Sequence, residues 1–247
     1  MIEAINLCAE YEKKAILKNI SFCLKDKGLT MLLGANGSGK STLLSIIAGV
    51  PNNSLKFKNE PMIDNMPISS FSSLKRAHTI SFITQNEICA WAYTVREYVS
   101  LGYFAKEKDE KLVDWALESF SLETLAERAV TELSGGEFQR AAIARSLVQD
   151  TPYILLDEPQ ANLDIKHQYT LFEILKKIAE TKCVVVTMHD INMAAIFAEQ
   201  ILLLSQGSII ADGTVKNVIT SENIKKAYDI NVKIVEHPIK KCVQIAV

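Results

Sequence analysis

Three glycines within six residues, Gly34, Gly37 and Gly39, run directly into Lys40-Ser41 and demand one local geometry. The stretch Gly34-Ala35-Asn36-Gly37-Ser38-Gly39-Lys40-Ser41 obeys the pattern G-x-x-x-x-G-K-[ST] at every position. Lacking Cβ atoms, the glycines let successive backbone N–H groups converge on a phosphate. The apolar run Leu29-Thr30-Met31-Leu32-Leu33 stands before them and predicts a short strand. Behind them, residues 41–48 carry Leu43, Leu44, Ile46 and Ile47 at helical spacing, and a helix there aims its positive N-terminal end at the loop. Strand, glycine loop and helix in this order make a phosphate cradle. The chain is therefore expected to bind a nucleotide, with Lys40 reaching the β- and γ-phosphates and the Ser41 hydroxyl available to Mg²⁺.

Two further motifs fit that chemistry. Leu155-Leu156-Asp157-Glu158 ends an apolar run in two carboxylates. Beside a phosphate loop, the first is expected near the metal and the second within reach of an attacking water. Leu133-Ser134-Gly135-Gly136-Glu137 has the S-x-x-E spacing of a helix capping box. Such a box needs no glycine pair, so the two glycines point to exposed helix N-terminal amides and a second anion site.

Around these motifs the pattern is α/β. Residues 1–30 alternate as strands do, residues 51–75 are rich in Pro, Asn and Ser and read as loop with short irregular strands, and a strand is expected over 79–83. Helical spacing dominates 94–104, 109–120, 122–128 and 137–148. Continuous apolar strands at 153–156 and 183–187 alternate with helices at 166–179 and 191–198, as in a parallel sheet covered on both faces. A hairpin over 201–211 follows. With 247 residues, a net charge of −2 and five scattered cysteines without a Cys-x-x-Cys pair, the chain is expected to be a reduced cytoplasmic protein that binds no nucleic acid. No secretory signal is visible, and no apolar run approaches the roughly 18 residues of a spanning helix.

The phosphate loop, the Leu133–Glu137 turn and the 153–158 strand stand in the order and spacing of one family: the chain resembles the nucleotide-binding subunit of an ATP-binding cassette (ABC) transporter along essentially its whole length. That resemblance implies a P-loop NTPase core with a mixed, mainly parallel sheet, an N-terminal antiparallel β subdomain and an inserted α-helical subdomain. The single domain 1–247 is expected to divide into an α/β core with its β subdomain (1–85 and 151–247) and a helical subdomain (86–150) carrying the signature turn.

The resemblance also implies roles. ATP is held by Gly34, Asn36, Gly37, Ser38, Gly39, Lys40, Ser41 and Thr42, with Tyr11 stacked on the adenine. A second copy, arranged head to tail, contributes Ser134, Gly135, Gly136 and Asp164 to the same ATP. Ser41, Gln85 and Asp157 hold Mg²⁺. Glu158 activates the water, Lys40 and His189 stabilise charge on the transferring phosphoryl group, and Gln85 links the site to a membrane partner. Three positions depart from the family pattern: Thr84 replaces the proline usual before Gln85, and Gln160-Ala161 stand where Thr-Ser is usual.

Residues 95–102, 163–168 and 223–228 resemble the importer branch for iron–siderophores, haem and vitamin B12, and zinc and manganese importers share part of these signals. The aromatic segment 88–99 corresponds to the region that receives membrane subunits. The expected partners are a second copy, polytopic permease subunits and, through them, an extracytoplasmic substrate-binding protein. The expected location is the inner face of the cell membrane. An ABC ATPase without a transport role and a non-catalytic nucleotide-binding regulator are the alternatives, and the presence of both Glu158 and His189 disfavours the regulator.

Overall fold

The computed structural model describes residues 1–52, 54–85 and 87–246. Strand β1 (Ile2–Tyr11) pairs antiparallel with β2 (Lys14–Leu24), and the two mix buried and exposed positions because only one face of their sheet is covered. β3 (Gly28–Gly34) is buried almost throughout and leads through the glycine loop into α1 (Lys40–Ile47). The short strands β4 (Leu55–Lys58), β5 (Met62–Ile63) and β6 (Met66–Pro67) complete the antiparallel sheet. There β4 and β5 pair with β1, and β6 pairs with β5.

The short strands expected within 51–75 are β4, β5 and β6, whereas the end of that stretch belongs to a helix. The Ser72 hydroxyl caps α2 (Ser73–Thr79) by accepting from the Lys75 N–H at 3.2 Å. This helix buries none of its residues, so no apolar stripe marks it in the sequence. Strand β7 (Ile80–Ile83) follows at once. The next helices are α3 (Val95–Ser100), α4 (Glu110–Ser119) and α5 (Gly135–Val148). The helix expected to reach 104 tightens into a 3-10 turn at Leu101–Ala105, and the one expected over 122–128 is only a 3-10 turn at Glu123–Leu125. Residue 86, where the helical insertion is expected to begin, lies outside the described residues.

The second half alternates β8 (Tyr153–Asp157), α6 (Ile165–Ala179), β9 (Cys183–Thr187), α7 (Ile191–Phe197) and β10 (Gln200–Ser205). β11 (Ser208–Gly213) folds back on β10, and the helices α8 (Val215–Val218) and α9 (Ser221–Tyr228) follow. β12 (Lys233–Glu236) and β13 (Val243–Ala246) form an antiparallel ribbon that the sequence pattern did not predict, since β12 is exposed at every position. The Asn192 side chain on α7 anchors this ribbon by accepting from the Ile245 N–H at 2.8 Å.

Among the described residues the central sheet runs β11-β10-β3-β9-β8-β7, parallel except between β10 and β11. Alternate residues of its strands enter two cores. Met31, Ile154 and Val184 pack with α3 to α7, whereas Leu32, Leu155 and Val185 pack with α1 and the antiparallel sheet. Burial on both faces explains the uninterrupted apolar runs. Because β3, β7, β8 and β9 are parallel, their C-terminal ends share one edge, the place where α/β sheets collect their functional loops. No helix among the described residues is long and apolar enough to cross a membrane.

Candidate functional site

The glycine loop leaves β3 at Gly34, where φ is +150° and a Cβ would lie 2.4 Å from the Leu204 carbonyl oxygen. Only glycine fits there. At Gly37, with φ of +74°, nothing lies within 4 Å, and the backbone faces open space instead. Lys40 is 4% exposed, and its ammonium donates to the carbonyls of Gly34 (2.9 Å) and Ala35 (3.2 Å). Burial holds its pKa below the ordinary lysine value, with the Glu158 and Asp157 carboxylates opposing that shift only in part. An entering phosphate offers this ammonium a charged acceptor in place of two neutral ones.

β8 delivers the two carboxylates. Asp157 Oδ1 accepts from the Ser41 hydroxyl (3.0 Å) and from the Thr187 hydroxyl (2.6 Å). Thr187, fully buried at the end of β9, also accepts from the Glu158 N–H at 2.8 Å. That bond pins a backbone with φ of +50°, a left-handed conformation uncommon outside glycine. The Glu158 side chain, nearly buried, accepts from Gln85 Nε2 at 2.8 Å and pairs with His189 Nε2. Gln85 follows β7 and His189 follows β9, so neighbouring strands of the parallel sheet converge on one carboxylate.

An open cavity of about 510 Å³ lies in front of this cluster, lined by Asn36, Gly37, Gly39, Lys40, Ser41, Thr42, Gln85, Glu158 and His189. Ser38 is buried within the loop, and Gly34 anchors the loop's first turn. Ile16 of β2 also lines the cavity, whereas Tyr11, 39% exposed at the end of β1, is not part of its wall. Thr187 and Ile16 were missed by sequence reasoning. Thr187 sits inside an apolar strand like any β-branched residue, and its hydroxyl gains meaning only from what β8 places beside it. The hydroxyl and carboxylate oxygens of Ser41 and Asp157 are hard donors of the kind Mg²⁺ takes, and the Gln85 amide lies at the same cavity, so these residues fit that ion.

The signature turn is a separate feature. Ser134 caps α5, with its N–H and hydroxyl donating to Glu137 Oε2 at 2.8 and 2.7 Å while its Oγ accepts from the Glu137 N–H at 3.4 Å. These bonds hold the Glu137 carboxyl below its ordinary pKa. Gly135 meets nothing within 4 Å, and a Cβ on Gly136 would lie 2.8 Å from the Asn162 carbonyl oxygen. Asp164 caps α6, accepting from the His167 N–H at 2.9 Å. Ser134, Gly135, Gly136 and Asp164 are absent from the wall of the cavity at Lys40, so one chain does not bring them to its own phosphate loop.

A third feature is apolar. Ile88 (88% exposed), Trp91 (72%) and Phe104 (91%) stand bare in the stretch that follows Gln85. Glu87 ties this stretch to α5 by accepting from Arg145 Nη2 at 2.8 Å, and the Arg145 guanidinium lies 4.9 Å over the Tyr98 ring.

The profile of the ABC transporter family matches residues 17–161 of the chain. A hemin import ATP-binding protein, HmuV, of Hydrogenovibrio crunogenus is 36% identical over 96% of this chain and 96% of its own length. The petrobactin import ATP-binding protein YclP of Bacillus subtilis is 34% identical over 95% of each chain. Among solved structures, the dimeric ATP-binding cassette MJ0796 in a post-hydrolysis state with ADP and Pi aligns with a TM-score of 0.78 at 29% identity, over 87% of this chain and 99% of that one. A chain of a metal-chelate type ABC transporter in an inward-facing conformation aligns with a TM-score of 0.77 at 27% identity, over 99% of this chain and 96% of that one.

Proposed function

This chain belongs to the ABC transporter family and is an ATP hydrolase of the importing kind, and from that premise we propose that it drives uptake of an iron chelate, haem or cobalamin. The observation that carries the cargo class is full-length similarity to hemin and petrobactin import proteins. The working unit is two copies head to tail, each ATP lying between the phosphate loop of one and Ser134, Gly135 and Gly136 of the other. The separation of signature turn and phosphate loop within one chain supports this reading. So does the dimeric state of the similar cassette.

In this reading Gly34, Asn36, Gly37, Ser38 and Gly39 present backbone N–H groups to the phosphates, while Ser41 and Thr42 open α1 beneath them. Lys40 exchanges its carbonyl partners for phosphate oxygens. Glu158 takes the proton of the attacking water, and His189 and Lys40 balance charge on the transferring group. Gln85 senses whether that site is filled. Ser41, Asp157 and Gln85 would hold Mg²⁺, which when bound neutralises phosphate charge. Tyr11 meets the adenine from the β1 end, beside Ile16, and Asp164 reaches the neighbouring copy. The helical subdomain, residues 86–150, carries both the signature turn and the bare Ile88, Trp91 and Phe104, which serve as the seat of the permease. The chain then works at the inner face of the membrane without entering it, and an extracytoplasmic binding protein delivers cargo through the permease.

Purification of the tagged chain from membranes, followed by identification of the polytopic subunit retained with it, tests the partnership. ATP hydrolysis by the assembled complex is then measured with ferric siderophores, haem, cobalamin, Zn²⁺ and Mn²⁺ and a cognate binding protein. Stimulation by one of the first three is expected. Stimulation by Zn²⁺ or Mn²⁺ alone overturns the cargo class, and retention of no polytopic subunit overturns the transport reading.

A further inference from the structure

His167, in the first turn of α6, makes contacts that none of the roles above uses. Its Nδ1 lies 2.9 Å from Asp164 Oδ1, the same oxygen that accepts its backbone N–H. On the other side of the ring, Nε2 lies 3.1 Å from Arg140 Nη1 on α5. A guanidinium nitrogen carries only donors, so Nε2 must accept. The proton therefore sits on Nδ1 and is donated to Asp164, which fixes the imidazole as neutral and assigns its tautomer.

Arg140 is itself held from a third direction. The second hydrogen of the same Nη1 is shared by the carbonyls of Phe120 (2.7 Å) and Ser121 (3.2 Å), just beyond the end of α4. The chain Asp164–His167–Arg140–Phe120 thus joins the loop after Glu158 to two helices of the inserted subdomain. Two neighbouring contacts run parallel to it: Gln139 Nε2 donates to the Pro159 carbonyl at 3.2 Å, and the Gly136 backbone packs on the Asn162 carbonyl too closely for any side chain. The first turns of α5 are zipped to the loop at residues 159–164.

We propose that His167, neutral and protonated on Nδ1, is a positioning residue. It fixes the Asp164 loop, which follows one chain's catalytic carboxylate, against the helix whose signature turn serves the other chain's nucleotide. This rests on the two-copy reading above. Through it, the arrangement of one ATP site constrains the other, because both depend on where α5 stands relative to residues 159–164. His167 is not part of the cavity wall at Lys40, and it acts by holding the loop in place for the closed pair.

Three variants of the full chain separate the ring's two contacts. In each of them Asp164 keeps the backbone N–H of residue 167, so truncation chiefly removes the acceptor for Arg140. His167→Ala removes both side-chain contacts. His167→Asn reproduces a donor at the Nδ1 position but falls short of Arg140, whereas the longer His167→Gln carries an amide oxygen to where Nε2 stood. Steady-state hydrolysis at saturating MgATP is expected to fall about tenfold in the Ala and Asn variants, the effect of one charge-assisted hydrogen bond lost from the closed state. The Gln variant should stay within about threefold of the unaltered chain, and binding of a fluorescent ATP analogue to the dilute monomer within about twofold in every variant. If the Ala variant does not fold, the Asn and Gln pair carries the comparison. An unaltered rate in the Asn variant, or a Gln variant as slow as Asn, overturns the proposal while a wild-type rate rising with the square of chain concentration leaves the two-copy reading intact. A wild-type rate that stays linear in chain concentration down to dilutions at which light scattering shows only single chains overturns the two-copy reading and the proposal with it.

Discussion

Replacing Glu158 by glutamine removes the negative charge and the proton acceptor while leaving the local frame in place. The backbone of residue 158 is held by Thr187 through a main-chain N–H, a contact the substitution does not touch. The amide oxygen of glutamine can still accept from Gln85 or His189, the two groups that engage the carboxylate. The cost in stability is therefore expected to stay under about 1 kcal/mol, or a melting shift within about 4 °C for a chain of this size. The effect on rate is of another order. General-base assistance contributes about 10²- to 10⁴-fold, so Glu158→Gln should slow phosphate release by at least about a hundredfold, near 3 kcal/mol in the barrier. Binding of ATP through the phosphate loop survives, because Gly34 to Thr42 are unchanged. With closure intact and hydrolysis blocked, the ATP-bound pair accumulates. Gel filtration of the variant with MgATP should then show a species of about twice 27.5 kDa, while the same sample with ADP runs as the single chain. Phosphate release within tenfold of wild type, at an unchanged melting temperature, would refute the assignment of the base.

Two other outcomes concern the frame around the site. A Cβ on Gly102 would lie 2.4 Å from the Arg145 carbonyl oxygen and 3.0 Å from the Gln149 nitrogen, so Gly102→Ala must push the 3-10 turn away from α5. A loss of about 1–3 kcal/mol is expected, read as a melting point lower by at least about 2 °C, and no change would show that the turn yields freely. Cys183 is 1% exposed, and burial pushes its thiol up to about 12. Iodoacetamide followed by peptide mass spectrometry should mark the exposed Cys23 in the folded chain and leave Cys183 unmodified until denaturant is added; equal labelling would contradict its burial. Because the folded thiol holds its proton above the pH at which the unfolded one releases it, its contribution to stability is complete below about pH 9 and is lost as pH rises toward 12.

What could be read from the sequence was what local spacing encodes. The phosphate loop needs its glycines, lysine and serine within eight neighbouring residues, and β8 and β9 declare themselves because both their faces are buried. Helix α2 could not be read: it has seven residues, buries none, and owes its start to the Ser72 cap. The β12–β13 ribbon was equally hidden, since it depends on Asn192 of a different element. At the site, Asp157 and Glu158 were legible as a pair, but the hydroxyl of Thr187 that joins them comes from residue 187, and no pattern along the chain links it to 157. His167 and Arg140 are 27 positions apart on separate helices, and only folding makes them neighbours. Tyr11 shows the reverse: its place in the sequence implied a partner that the cavity wall of a single chain does not include.

The strand order has a consequence for how the chain is made. β3, which carries the phosphate loop, lies between β9 and β10, the strands that reach it from about 150 residues later in the chain. At about 5–20 residues per second, Leu29, Met31 and Leu33 leave the ribosome roughly 8–30 s before either neighbour exists. Until then the glycine loop has no rigid strand behind it, Asp157 has no Thr187, and α1 has no central sheet to cover. A nascent chain shorter than β9 is an exposed apolar segment in need of shielding, and nucleotide binding arrives late in synthesis, as a property of the nearly finished molecule.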